Sequence, residues 1–258
     1  MFDAIRRWRR RRIIARGRLE PDLWRQTLSR LAFLRGMPPE QSGRLHDTVI
    51  LFLHAKSIRG AAGLDVDLGM QLLIAVQACI LICNLDVDYY RGWVEVIVYP
   101  DEFVPNVQTM DEAGVVHTVR EPHAGEAWLR GPVILSWADV ADCAEGVNVV
   151  IHEFAHKLDM LNGNADGFPP LHRNMSRKAW SDAFSSAYAD FCARIDADQE
   201  MTIDEYAAES PGEFFAVMSE TFFERPRVVR ALYPQVYAQL AQFYRQEPAG
   251  WRPCESSA

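Results

Sequence analysis

The spacing of hydrophobic and polar residues predicts a chain built mainly from helices. Apolar residues recur every three or four positions in several stretches, which is the spacing of one buried helix face. These amphipathic stretches cover residues 21–35, 40–57, 178–197, 210–223 and 236–244. Residues 69–84 are instead apolar on nearly all sides, which predicts a central helix buried all round.

Two stretches have the character of strands. Residues 93–99 alternate and are rich in β-branched side chains, and residues 131–137 form a second apolar run. Between them lies a polar, mixed region in which we expect loops or a hairpin carrying His117 and His123. The pattern predicts an α+β fold in which helices dominate. The free edge of the second strand is a candidate for holding an extended peptide.

Composition narrows the class of protein. With 258 residues and 49% hydrophobic content, the chain can bury a large core. No apolar run of about 18 residues occurs, so we expect no transmembrane segment, and the first residues do not resemble a secretory signal. The five cysteines are odd in number and include no Cys-x-x-Cys pair. A reducing cytoplasm is therefore the expected location.

Charge divides the chain into a basic head and an acidic body. Residues 1–20 carry eight arginines against two acids, a net charge of +6, whereas the whole chain carries −8. We expect 1–20 to be a basic tail that is solvated, lies on the acidic body or contacts anionic lipid. The acidic remainder argues against direct nucleic-acid binding. Residues 21–245 are expected to form one domain, with a helical part 21–90 and a catalytic part 91–245, followed by a tail 246–258.

The most informative stretch is His-Glu-Phe-Ala-His at residues 152–156. Asn148 as an N-cap and Gly163 as a stop predict a helix around it. Residues four apart share a helix face, so His152 and His156 can reach one small cation. Zinc accepts such nitrogen ligands and keeps a position open for water in catalytic sites. Glu153, beside the first histidine, is placed to take a proton from that water.

This motif is specific. With 7 histidines in 258 residues, a chance match is expected about 0.01 times. The alternative is a pair of core histidines bonded to backbone carbonyls. Asp159 lies on the same face, seven residues after His152, and either orients an imidazole from behind or is a solvated acid at the helix end.

Two histidines do not complete a zinc site, and the residues alone leave three candidates for the third ligand. Glu213 begins a helix rich in aromatic residues, although Ser210 and Glu213 also fit a capping box. Glu220 lies on the same face two turns later. His172 follows a loop containing glycine and proline. Glu213 is the preferred candidate because its helix would project it rigidly.

The sequence resembles the Mlc titration factor A family of zinc-dependent peptidases. The resemblance rests on His-Glu-Phe-Ala-His-Lys-Leu-Asp at 152–159 and on Tyr206 followed by Glu-Phe-Phe-Ala-Val-x-Ser-Glu at 213–220. The blocks 74–79, 98–103 and 131–137 agree with it, so that it covers residues 30–245. The spacing from the tyrosine to Glu-Phe-Phe-Ala is also similar to that in anthrax lethal factor.

The resemblance implies more than the residues alone. It implies a zincin-like metallopeptidase domain, mostly helical with a small mixed sheet, that binds Zn2+ through His152, His156 and Glu213. It also implies that Glu153 is the catalytic base and Tyr206 a donor to the transition state. It further implies a cytoplasmic protein with aminopeptidase-like activity on peptides that also binds an Mlc-type repressor of glucose-uptake genes. A non-catalytic protein that only sequesters such a repressor is the alternative.

Overall fold

The computed structural model describes residues 2–101, 107–110, 116–119, 125–127, 131–142 and 146–251. Helices dominate these ranges, as the sequence predicted. The α-helices are α1 (Phe2–Arg16), α2 (Pro21–Arg30), α3 (Pro39–Ala55), α4 (Leu68–Ile80), α5 (Trp137–Ala141), α6 (Val149–Asp159), α7 (Arg177–Asp196), α8 (Pro211–Glu224), α9 (Pro226–Leu232) and α10 (Pro234–Tyr244). Short 3-10 helices cover Ala32–Leu34, Val87–Tyr90, Met160–Asn162, Glu205–Ala208 and Pro248–Gly250.

A small mixed sheet accompanies the helices, so the α+β assignment is confirmed. The strands are β1 (Ser57–Gly60), β2 (Glu95–Tyr99), β3 (Val107–Met110), β4 (Val116–Val119), β5 (Gly125–Ala127) and β6 (Val133–Ser136). The larger sheet has the order β1-β2-β6-β5, in which β1, β2 and β6 are parallel and β5 is antiparallel to β6. The two remaining strands, β3 and β4, form an antiparallel pair that carries His117. His123 lies outside the described residues.

The strand before the motif helix does not have the free edge that we expected. β6 is paired with β2 on one side and with β5 on the other, so that prediction was wrong. The alternation of Val, Ile and Leu identified the strand, but alternation carries no information about the strand's neighbours. On that side of the sheet the outermost strand is β5, which contacts α6.

The motif helix α6 is held from several directions. It packs against α4 and α8 and lies against β5 and β6. The all-round apolar segment forms α4, whose residues 72–80 are all buried. On the other side, Phe154 lies in an aromatic cluster with Phe52, Tyr90 and Trp93, at ring-centroid distances of 5.1–5.8 Å. Because apolar residues surround α6, its polar side chains are fixed by packing as well as by hydrogen bonds.

The described parts of both terminal segments pack on the rest of the domain. Residues 2–16 form α1, which packs on α3 where a Cβ on Gly17 would meet Ile50. At the other end, Gln246 is buried and donates to the Ile80 carbonyl, and Trp251 is also buried. No helix in the described part of the chain combines the length and the apolar character needed to cross a membrane.

Candidate metal centre

Helix α6 presents both histidines from one face. Asn148 caps the helix, because its side-chain oxygen accepts from the backbone N–H of Ile151 at 3.0 Å. The helix passes into the 3-10 turn Met160–Asn162 and ends at Gly163, whose φ of 147° favours glycine. Within the helix, the rings of His152 and His156 lie one turn apart in an edge-to-face arrangement, with their centroids 4.9 Å from each other. The predicted start, stop and shared face are therefore all present.

Helix α8 supplies the carboxylate. Its N-cap Ser210 accepts from the backbone N–H of Glu213 at 3.1 Å, and Pro211 occupies the first helical position. This contact is one half of the capping box that the sequence allowed. The carboxylate of Glu213 turns instead toward the two imidazoles. Glu213 thus donates its backbone N–H to the N-cap and directs its carboxylate toward the site.

Three donor atoms converge at the resulting centre. Glu213 Oε2 lies 3.0 Å from His152 Nε2 and 3.2 Å from His156 Nε2, and the two nitrogens lie 3.2 Å apart. Four ligands placed tetrahedrally at about 2.0–2.1 Å from one ion are about 3.3–3.4 Å from each other. The donor spacing, and the mixture of two imidazole nitrogens and one carboxylate oxygen, therefore fit a small divalent metal ion such as zinc.

The electrostatics of the centre also favour a cation. Burial lowers the pKa of His152, but hydrogen bonds with Glu213 and Glu220 outweigh this effect and raise it to about 10. Burial raises the pKa of Glu213, yet its bonds with His152 and His156 dominate and bring it down to about 2. The raised pKa of His152 reflects the carboxylates around it, and the lowered pKa of Glu213 reflects its contacts with the two imidazoles. A bound metal ion must compete with protons for the imidazoles, so its affinity falls at low pH.

Glu220 stands behind the centre rather than in it. One oxygen lies 3.3 Å from His152 Nδ1, the nitrogen that faces away from Glu213. The other accepts from the backbone N–H of Asn148 at 2.5 Å. A carboxylate on the far nitrogen of a ligand histidine fixes the ring and its tautomer. From the sequence we considered Glu220 only as a competing ligand. Its position on the same helix face as Glu213 was the one feature that could have indicated a supporting role beside the histidines.

A buried polar network continues from Glu220. The side-chain amide of Asn148 donates to Gln77 on α4 and to Glu224 on α8, both at 2.8 Å. Asn148 therefore caps α6 and also joins it to two neighbouring helices. The sequence identified the cap but missed the two side-chain partners, since only the packing of three helices brings them together.

The third candidate ligand, His172, lies elsewhere. Its Nε2 is 2.8 Å from the Phe243 carbonyl and its Nδ1 is 3.3 Å from the Tyr89 hydroxyl. Its ring also stacks on Phe243. Within the described ranges, only His152, His156 and Glu213 form a group of three that could hold a metal ion. Of the three alternatives, the geometry brings Glu213 to the histidines.

Glu153 and Tyr206 both lie close to the centre. Glu153 is buried beside His152 on α6, and its charge contributes to the raised pKa of that histidine. Tyr206 lies in the 3-10 helix Glu205–Ala208, which packs on α8. Its ring centroid is 6.0 Å from that of His152, and 43% of the residue is exposed. Tyr206 is therefore a partly exposed residue whose ring lies near one of the two imidazoles.

Asp159 has a structural contact that the sequence did not indicate. It is fully buried, and its Oδ2 accepts from the backbone N–H of Gly167 at 2.7 Å, so it fastens the loop after α6. Burial raises its pKa to about 7. Among the described residues, neither its Oδ1 nor His156 Nδ1 has a hydrogen-bond partner. A hydrogen bond from an imidazole to Asp159, one of the two alternatives for this residue, is therefore not seen, and Glu220 makes that kind of contact with His152.

Comparison with known proteins identifies relatives of the whole chain. The glucose-regulated metallo-peptidase M90 family matches residues 5–245. A protein named Mlc titration factor A from Salmonella arizonae is 36% identical over 234 residues, which cover 88% of this chain and 92% of that protein. Its namesake from Salmonella gallinarum is 36% identical over 233 residues, or 88% and 86% of the two chains. With a family match across nearly its whole length and relatives at this level of identity, the chain belongs to the glucose-regulated metallo-peptidase M90 family.

Proposed function

We propose that this protein is a zinc-dependent peptidase in which His152, His156 and Glu213 hold the metal and Glu153 is the catalytic base. The observation that carries the proposal is the convergence of the three donor atoms at 3.0–3.2 Å. Two nitrogens and one oxygen suit zinc, and three protein ligands leave a position for water or substrate, as in catalytic sites. When bound, zinc supplies a Lewis acid that acidifies water and polarises a carbonyl group.

The burial of Glu153 and its place beside His152 support its proposed role as the base. It is adjacent to His152 on α6 and buried, so its carboxylate is surrounded by little water and is held in place. A base in such a position can take a proton from the attacking water and deliver it to the amine that leaves when the peptide bond breaks. The carbonyl carbon gains the hydroxyl and the nitrogen gains the proton, so the reaction is a hydrolysis.

Tyr206 is proposed to donate its hydroxyl to the oxyanion that forms on the substrate carbonyl. Replacing it with phenylalanine removes this donor and leaves the ring, so we expect kcat to fall by about 10²–10³-fold with little change in KM. Steady-state kinetics on a cleaved peptide measure this split. Tyr188→Phe on α7 is the control, since its hydroxyl is bonded to the Ala208 carbonyl rather than turned to the site. An equal loss of kcat in both variants would contradict the proposed role of Tyr206 as a donor to the oxyanion.

Glu220 is proposed to orient His152. Glu220→Gln keeps the size of the side chain but removes its charge, and we expect zinc affinity to fall by about 10- to 100-fold. Competition with a metal-binding indicator measures the affinity without any activity assay. Glu224→Gln, which touches Asn148 but no imidazole, is the matched control. An unchanged affinity in Glu220→Gln would show that this carboxylate does not support the metal ligand.

Aminopeptidase action is the more specific part of the proposal, and it rests on the family resemblance. The test is a panel of aminoacyl anilides and internally quenched peptides, each with free and blocked amino ends, together with metal analysis of the purified protein. We expect one equivalent of zinc and cleavage only where the amino end is free. Cleavage of blocked peptides would make the protein an endopeptidase, and a zinc-free protein without hydrolysis would contradict the peptidase proposal.

A second proposed function is the binding of an Mlc-type transcriptional repressor in the cytoplasm. The names of the relatives support it, since they describe factors that titrate Mlc. The free thiols of Cys79, Cys83 and Cys192 are consistent with a reducing compartment. The variant Glu153→Gln distinguishes the two functions. It should no longer hydrolyse peptides but should still bind purified Mlc in a pull-down. If the repressor is bound and no peptide is cleaved by the unaltered protein, the non-catalytic alternative is favoured.

A further inference from the structure

The N-terminal helix leaves most of its surface exposed. Ile13 and Ile14 of α1 are partly buried, and Gly17 just after the helix lies against Ile50 of α3; this contact is the α1–α3 seam. Earlier along the same helix face, Arg6 and Arg10 are paired with the carboxylates of Asp86 and Asp88. These two contacts fix how the helix sits on the domain. The remaining arginines of the helix are all exposed.

One exposed stripe of α1 mixes apolar and basic side chains. Ile5, Trp8, Arg12 and Arg16 follow each other at intervals of three or four residues, so they share a face. Ile5 is 48% exposed and Trp8 57% exposed, and the guanidinium of Arg12 lies over the Trp8 ring. Large apolar side chains with this exposure, set among arginines, are typical of helices that lie in a membrane interface.

The stripe borders a groove of about 910 Å³ between α1, α3 and α4. Its apolar lining includes Ile50 and Leu53 of α3 and Leu68 of α4, and Leu68 is 71% exposed. The basic side chains that line it are Arg9, Arg12, Arg16 and Arg18. None of the described residues lining this groove is acidic. The basic and apolar surfaces of α1 and the tip of α4 therefore form one continuous patch, which we call the α1 patch.

We propose that the α1 patch is a docking surface for anionic phospholipid bilayers. The charge distribution supports this occupant, because residues 1–20 carry +6 and the other residues carry −14. An anionic surface attracts the basic residues 1–20 and repels the acidic remainder, so the domain approaches the surface with α1 foremost. Trp8 and Leu68 protrude from the patch, where they can enter the interfacial layer, whereas a nucleic acid would use the arginines and leave these apolar side chains exposed.

The experiment is vesicle co-sedimentation with the full chain. Vesicles of phosphatidylcholine alone are compared with vesicles of phosphatidylcholine and phosphatidylglycerol, at about 0.05 M and about 0.5 M salt. We expect the protein to bind the mixed vesicles at low salt, at least about tenfold more tightly than the neutral ones, and to be released at high salt. Equal binding to both vesicles, or to neither, would overturn the proposal.

Three variants test the residues. Arg9→Gln/Arg12→Gln/Arg16→Gln should weaken binding by about 100-fold, and Trp8→Ala/Leu68→Ala by about tenfold. The matched control is Arg35→Gln/Lys178→Gln/Arg230→Gln. It removes the same charge from exposed positions outside the patch and should stay within about twofold of the unaltered protein. All variants should keep their zinc content and circular dichroism spectra, since the substituted side chains lie outside the α1–α3 seam and the metal centre.

Two outcomes would contradict lipid docking in different ways. If the control loses as much affinity as the arginine variant, net charge rather than the α1 patch governs binding. If Trp8→Ala/Leu68→Ala binds vesicles normally while duplex DNA or an acidic peptide competes as well as anionic lipid does, the patch is a general polyanion contact. Quenching of tryptophan fluorescence by brominated lipid gives an independent readout. It should be weaker in Trp8→Phe than in the unaltered protein.

Discussion

Replacing Glu153 with glutamine is expected to reduce kcat for peptide hydrolysis by about 10²–10⁴-fold and to leave the zinc content at the level of the unaltered protein. Glutamine has nearly the same shape as glutamate but cannot accept the proton of the attacking water. The proposed metal donors, His152, His156 and Glu213, remain unchanged. The measurement is a turnover assay on the cleaved peptide, together with metal analysis of the same sample.

The control for this variant is Glu200→Gln, at an exposed position after α7. It removes one negative charge without touching the centre, so its kcat should match that of the unaltered protein. A Glu153→Gln protein with normal turnover would exclude Glu153 as the base. A variant that loses both zinc and turnover would instead give Glu153 a part in holding the metal.

Replacing Glu213 with alanine is expected to have the largest effect on metal binding. It removes one of three donors, whereas loss of an orienting neighbour alone costs about 10- to 100-fold in affinity. We therefore expect zinc affinity to fall by more than about 100-fold, with hydrolysis lost as a consequence. Removing the carboxylate should also lower the pKa of His152, because its bond with Glu213 helps to raise it. Metal analysis and an NMR titration of the imidazole measure the two effects.

Glu200→Ala serves as the charge-matched control here too, and it should bind one equivalent of zinc. If Glu213→Ala also retained one equivalent, Glu213 would be excluded as a ligand. Thermal unfolding should accompany the metal analysis, since it separates a folded protein without zinc from one that no longer folds. The backbone contact of residue 213 with Ser210 does not depend on its side chain, so the start of α8 should be preserved.

The helix that carries the two histidines was predictable because its signals are local. The cap at Asn148, the apolar run and the stop at Gly163 lie within one short segment, and each acts on the backbone beside it. The buried character of α4 was equally local, since a helix that is apolar on all sides must avoid water. The third member of the centre was different. The residues alone left Glu213, Glu220 and His172 open, and the family resemblance implied Glu213. The packing of α8 against α6 is what brings its carboxylate to the two histidines.

The helices and strands that the sequence pattern did not predict depend on partners that are distant in sequence. β1 has only four residues, Ser-Ile-Arg-Gly, and it is a strand because it pairs with β2. α1 lacks a broad apolar stripe, because arginine occupies most positions, and its helical form was not predicted. Its position depends on the seam with α3 and on ion pairs with Asp86 and Asp88. Such contacts can be identified only in the folded structure of the whole domain.

The hydrogen bonds of Asn148 matter for the protein when no metal ion is bound. Asn148 ties α6 to α4 and α8 through Gln77, Glu220 and Glu224, and none of these bonds passes through the three donor atoms. The scaffold of the centre is thus preorganised. Chelation should give a folded apoprotein that takes metal back without refolding, so that metal supply could switch the protein on and off reversibly.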